Sequence, residues 1–141
     1  MKDFSSDLLA VQSLVPILAH TTADGTGLGV DMTLYDGALM IAHVGQSGDT
    51  LAVGLKWTVQ FQHCATNTAG SFTDIDAADL EGGANAVVID DAAEDEVVIQ
   101  RGYKGALRWL RIIFTQVGTH TTGTPLSAVI VKGRAFHNPA A

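Results

Sequence analysis

Cysteine occurs once in the chain, at Cys64. A lone thiol excludes an intrachain disulfide framework and any multi-cysteine zinc or iron–sulfur site. Aromatic residues make up only 6% and charged residues 16% of the sequence. No uninterrupted apolar run approaches the roughly 20 residues that a membrane-spanning helix needs. Asp3 and Asp7 flank the first leucines, so no cleaved secretory leader is expected. Acidic residues are missing altogether beyond Glu96, and basic ones are missing between Lys56 and Arg101.

What is present is a chain of 141 residues and 14.8 kDa, 47% hydrophobic, with a net charge of −7. That is the size of one domain with a self-sufficient core, and too apolar for a disordered tail. Residues 1–96 hold all 15 acids beside only Lys2 and Lys56, a balance of −13; residues 97–141 hold six bases and no acid. Nine of the acids fall between Asp74 and Glu96. An acidic whole repels phosphate backbones, which disfavours nucleic-acid binding. A charge split of this kind fits either acidic loops and basic strands meeting within one fold, or oppositely charged faces meeting between subunits.

Strand signals dominate the hydrophobic pattern. From Leu51 to His63 the apolar residues Leu51, Val53, Leu55, Trp57, Val59 and Phe61 alternate with Ala52, Gly54, Lys56, Thr58, Gln60 and Gln62. Period two over that length predicts one half-buried strand. Further strands are expected over 37–44, 86–89, 97–100, 107–116 and 126–136. In the fourth of these Leu110, Ile112 and Phe114 share one face, opposite Leu107, Trp109, Arg111 and Ile113. Glycine-, threonine- and aspartate-rich stretches at 21–29, 45–50, 65–70, 80–85 and 118–125 read as turns. Seven or eight short strands with such loops predict an all-β fold, an antiparallel β-sandwich of jelly-roll type. Residues 1–20 read either as an N-terminal arm or first strand, or as a short helix capped at Ser5 or Ser6 and stopped by Pro16. Residues 21–141 form the sandwich domain.

Reactive chemistry finds little footing in these residues. Asp74, Asp76, Asp79 and Glu81 invite a calcium reading, yet a loop counted from Asp74 has Asp79 at its sixth position and Asn85 at its twelfth. An EF-hand needs glycine and a bidentate acid there, so a solvated acidic loop is the better expectation. His20, His43, His63, His120 and His137 lack helical ligand spacing, and His63 and Cys64 point to opposite faces of a strand. Neither metal nor cofactor is expected. The glycines at 25, 27 and 29 lack the rest of a phosphate-binding loop, and no nucleophile elbow occurs around Ser71. The chain is therefore read as a non-enzyme. Its most distinctive segment runs Arg101-Gly102-Tyr103-Lys104-Gly105-Ala106-Leu107-Arg108-Trp109-Leu110-Arg111. Arg, Tyr and Trp are the types that dominate interface hot spots, so Arg101, Tyr103, Lys104, Arg108, Trp109 and Arg111 are candidate partner-contact residues. A basic–aromatic membrane or RNA surface would need a positive field that the rest of the chain lacks.

Three places in the sequence carry a resemblance: Met1-Lys2-Asp3 before a hydrophobic stretch and a Gly/Thr-rich loop; a long strand followed by Gly70-Ser71-Phe72-Thr73-Asp74-Ile75 with Asp79-Leu80 beyond; and Arg101 to Gly105 leading to Arg108-Trp109-Leu110-Arg111. In these the chain resembles a family of small head proteins of tailed bacteriophages and gene transfer agents. The resemblance implies a capsid decoration, or cement, protein. Such a protein is β-rich, commonly a homotrimer, and sits on the exterior of the virion, where it binds the major capsid protein and clamps neighbouring subunits. A carbohydrate-binding or host-adhesion module is the alternative, since jelly rolls often carry glycans on exposed aromatics such as Tyr103 or Trp109. A head–tail or tail component is a third reading.

Overall fold

The computed structural model describes residues 7–25 and 27–135. The opening Met1-Lys2-Asp3, the caps Ser5 and Ser6, Thr26, Phe136 and His137 lie outside the described residues. Among the described residues ten strands build two antiparallel sheets packed face to face as a β-sandwich. They are β1 (Leu8–Ala19), β2 (Val30–Asp31), β3 (Tyr35–Val44), β4 (Lys56–Cys64), β5 (Thr73–Asp74), β6 (Leu80–Glu81), β7 (Val87–Ile89), β8 (Val97–Tyr103), β9 (Trp109–Val117) and β10 (Thr124–Ala135). Sheet A runs β1–β10–β3–β8–β6. Sheet B runs β2–β9–β4–β5, and β7 pairs with β4 as well.

The core lies between the two sheets and is built from one parity of each long strand. Met40, Ala42 and Val44 of β3 and Leu126, Ala128 and Ile130 of β10 face Trp57, Val59 and Phe61 of β4 and Leu110, Ile112 and Phe114 of β9, all buried. Registers agree with this division: Val59 lies opposite Phe114 and Phe61 opposite Ile112. Met40 lies opposite Ile130 in the other sheet. Each large apolar side chain removed from water stabilises by about 1.5–3 kcal/mol, so the alternating stripe dictates which face turns inward.

Two expectations need correction. No helix forms over 8–12. The stretch 8–19 is largely apolar on both parities, and it pairs with β10 from Leu8↔Gly133 to Ala19↔Thr124 instead. Pro16, which has no N–H to donate, sits where the register shifts between Leu14 and Ile17, as a proline in an edge strand should. The long strand expected from Leu51 is the second. β4 begins only at Lys56, because Ala52 and Leu55 exchange two backbone hydrogen bonds of 2.9 Å across the turn Val53-Gly54. Val53 is consequently 76% exposed while Leu51 is buried. A turn of two residues preserves parity, so the alternation continues through it unbroken.

The segment from 65 to 96 wraps one flank of the sandwich. It supplies β6 to the edge of sheet A and β5 and β7 to the edge of sheet B. The opposite flank is formed by β1, which touches β2 and β9.

Candidate attachment surfaces

The basic segment singled out in the sequence closes β8, turns through 104–108 and opens β9. Tyr103 is buried, and its hydroxyl accepts a 3.0 Å hydrogen bond from the Leu107 amide while lying 3.1 Å from His63 Nδ1. Burial pushes the Tyr103 phenol above its ordinary value. Gly105 is required here, since a β-carbon at that position would stand 2.6 Å from the same hydroxyl. The tyrosine therefore braces the turn from within.

The four cations of the segment are engaged by their own chain. Arg108 forms a two-pronged pair with Asp31, Nε to Oδ1 at 2.9 Å and a terminal nitrogen to Oδ2 at 2.7 Å, and its guanidinium lies 4.9 Å from the centre of the Trp109 ring. The Arg108 hydrogen bonds, with those from Thr33, hold the Asp31 carboxyl well below the usual carboxylate range. Arg111 is only 6% exposed, although its parity on β9 points away from the core. It donates to Gln62 Oε1 at 2.8 Å, to Asp24 Oδ2 at 3.1 Å and to the Gly27 carbonyl at 3.0 Å, with the Phe72 ring 4.3 Å away. The loops 20–29 and 65–72 are thus pinned over the outside of sheet B. Arg101 donates to the carbonyls of Ala84 and Gln100, and Lys104 pairs with Glu81 at 3.2 Å on the surface. Of the expected contact residues, Lys104 and Arg108 remain substantially exposed; Arg101 and Trp109 are half-buried, and Tyr103 and Arg111 are buried. Trp57 lies in the core.

A second polar cluster joins the loops 45–50 and 118–124. The Asp49 carboxylate accepts hydrogen bonds from the amides of Thr121, Thr122 and Gly123 and from the Thr121 hydroxyl, at 2.8–3.2 Å. Those donors favour the ionised form and hold Asp49 well below the usual carboxylate range. Beneath it His120 stacks on Trp57 at 4.4 Å, and the indole N–H donates to the Thr124 hydroxyl at 2.9 Å. Among the described residues no group of three or more His, Cys, Asp and Glu side chains gathers as a metal site.

Once these internal pairs are set aside, the exterior carries two unlike surfaces. The segment 73–96 that wraps the flank carries nine acids and no base of its own. Among the described residues Glu81 alone of the nine has an ion-pair partner. The other is the outer face of sheet A with the β1 flank beside it. Leu8, Val15, Leu18, Leu39 and Val98 are all more than a third exposed there. Sheet B is different: β4 turns Lys56, Thr58, Gln60 and Gln62 outward, and Asp74 of β5 bonds both glutamines. None of the contact residues expected from the sequence lies on the exposed apolar positions of the sheet A face. Its signal was present in the runs 8–19, 37–44 and 128–131, which are apolar on both parities and mark strands covered on both sides. No protein-family model, curated protein or solved structure matches the chain.

Proposed function

We propose that this chain is a structural protein of a bacteriophage virion, a capsid decoration subunit that docks on the outer surface of the major capsid shell and braces neighbouring shell subunits. The observation that carries the proposal is the acidic flank. Nine acids carried by one segment, of which among the described residues only Glu81 meets a cation, make a surface suited to a broad basic partner. The basic segment 101–111 cannot serve that role as freely, because Asp31, Asp24, Glu81 and backbone carbonyls already occupy its cations. Winding supports the same reading. The chain changes sheets at each step from β1 to β4 and again from β7 to β10, and the first long strand lies beside the last. That is how a jelly roll is wound, an architecture used by capsid and lectin domains. The link from winding to role is analogy between folds; the flank is the physical argument. Many weak contacts with several shell subunits at once give avidity without any one strong contact.

The test is co-sedimentation with shells assembled from the major capsid protein of the same virion. Saturable binding that raises the shell's disruption temperature is expected. The triple variant Asp90→Asn, Asp91→Asn, Glu94→Gln keeps the acceptor oxygens that bind the Ala93 and Asp90 amides. It should weaken binding about tenfold, the effect of losing about 1.4 kcal/mol. Failure of the wild-type chain to bind shells overturns the proposal.

A further inference from the structure

The outer face of sheet A is an antiparallel sheet face of the kind that normally meets water with polar side chains. Here the outward positions of its four long strands carry no Asp, Glu, Lys or Arg among the described residues. Pairing of Gly133 with Gly37, Val131 with Leu39 and Val129 with Ile41 puts these residues on one surface. Leu39 lies opposite Gly102, and His43 opposite Val98, on the next strand. Leu8 and Ala10 extend the surface through their partners Gly133 and Val131. Charge enters at the ends: Asp36, Glu81 and Lys104 border a trough of about 440 Å³ at one, and exposed Glu96 precedes β8 at the other. Gly37, Gly102 and Gly133 contribute to the lining of that trough, and Leu8, Leu39 and Val131 stand around it. Toward the other end of the face Val98 protrudes, 50% exposed.

We propose that this face is covered by the same face of a second copy of the chain, in a two-fold dimer. Three observations select that occupant. First, outward strand positions without formal charge let two chains of net charge −7 meet with acids only at the rim, where Asp36 and Glu81 stand beside Lys104. Second, the extent is right: four strands about 4.8 Å apart and seven to twelve residues long cover roughly 650 Å² in plan. Side-chain relief brings this toward the roughly 800 Å² per partner that a standard interface buries. Third, the face carries a knob and a hollow at different ends, which is what a self-complementary two-fold contact requires. Val98 of each copy meets the glycine-lined trough of the other, and the two A sheets stack as aligned sheets do inside a sandwich. A flat face is buried completely by one flat partner, whereas three such faces around a three-fold axis meet only along their edges. The geometry therefore gives a dimer in place of the trimer that the family resemblance implies.

The proposal goes beyond capsid docking and is tested without shells. Sedimentation equilibrium of the full chain, carried up to about 100 μM, spans the micromolar range of ordinary interfaces and should report a dimer. Leu39→Lys and Val98→Lys should each weaken dimerisation about tenfold or more, since each buries an unpaired cation in the contact. Thr58→Lys, on the outer face of sheet B, should leave it unchanged. Val98 is half exposed in the single chain, so its variant keeps the test valid if Leu39→Lys fails to fold, as judged by circular dichroism. A monomer at the highest concentration, a trimer, or a dimer indifferent to these lysines overturns the inference.

Discussion

Arg108, at the end of the turn, and Arg111, on β9, stand three positions apart, yet burial gives them opposite weights. Removing Arg111 leaves the Asp24 carboxylate, the Gly27 carbonyl and the Gln62 amide without their donor beneath two loops. Arg111→Ala should therefore cost about 3 kcal/mol, the scale of breaking a buried ion pair by deleting one partner. Arg108 faces solvent, where water and salt screen its attraction to Asp31, so Arg108→Ala should cost much less and lower the urea midpoint only slightly. Equal losses from the two variants would contradict this account. Asp49 supplies a pH signature. Its folded carboxyl titrates below the ordinary value, so its contribution to stability is complete above about pH 4 and fades as the pH falls further. Asp49→Asn should lower the melting temperature at neutral pH, and its gap from the wild type should narrow between about pH 4 and pH 2. A gap that stays constant in acid would show that the amide hydrogen bonds do not depend on the charge.

At the level of elements, the turn before β4 and the body of β4 offer the sharpest contrast. Val53 and Val59 belong to the same alternating series, but one caps an exposed turn and the other lies in the core. Val53→Asp should leave the melting temperature within a few degrees of wild type, since exposed substitutions usually change stability by less than about 0.5 kcal/mol. Val59→Asp buries an unpaired charge and should abolish folding, visible as loss of the β-sheet circular dichroism signal. The same pair explains what was legible in the sequence. β9 was readable because Leu110, Ile112 and Phe114 form one apolar face, while the opposite face mixes Trp109 and Ile113 with Arg111 and Thr115. The start of β4 was not, because a two-residue turn leaves alternation intact. β1 was equally opaque: a strand apolar on both parities loses the period that identifies it. The cation-rich segment was readable as a cluster, but its partners were not. Asp31 lies 77 positions from Arg108 and Asp24 lies 87 positions from Arg111, separations that only the sheet order brings together.

For the whole molecule, the acidic flank and the uncharged face should respond to salt in opposite directions. Two chains that each carry −7 repel as they approach, and the uncharged sheet A face offers no compensating attraction between charges. Raising the ionic strength from about 0.1 M to about 1 M shortens the screening length from about 10 Å to about 3 Å. That removes most of the repulsion while leaving apolar burial in place, so dimerisation should tighten. Attachment of the acidic flank to a basic shell surface draws on the same long-range field with the opposite sign, and screening should weaken it. The two responses are read separately, by sedimentation equilibrium of the free chain and by co-sedimentation with shells across the same salt series. If added salt loosens the dimer, charge is part of that contact and the sheet A face is not its site. If added salt leaves shell binding unchanged, the acidic flank is not what touches the shell. Only opposite signs fit a subunit that pairs through an uncharged sheet and docks through its carboxylates.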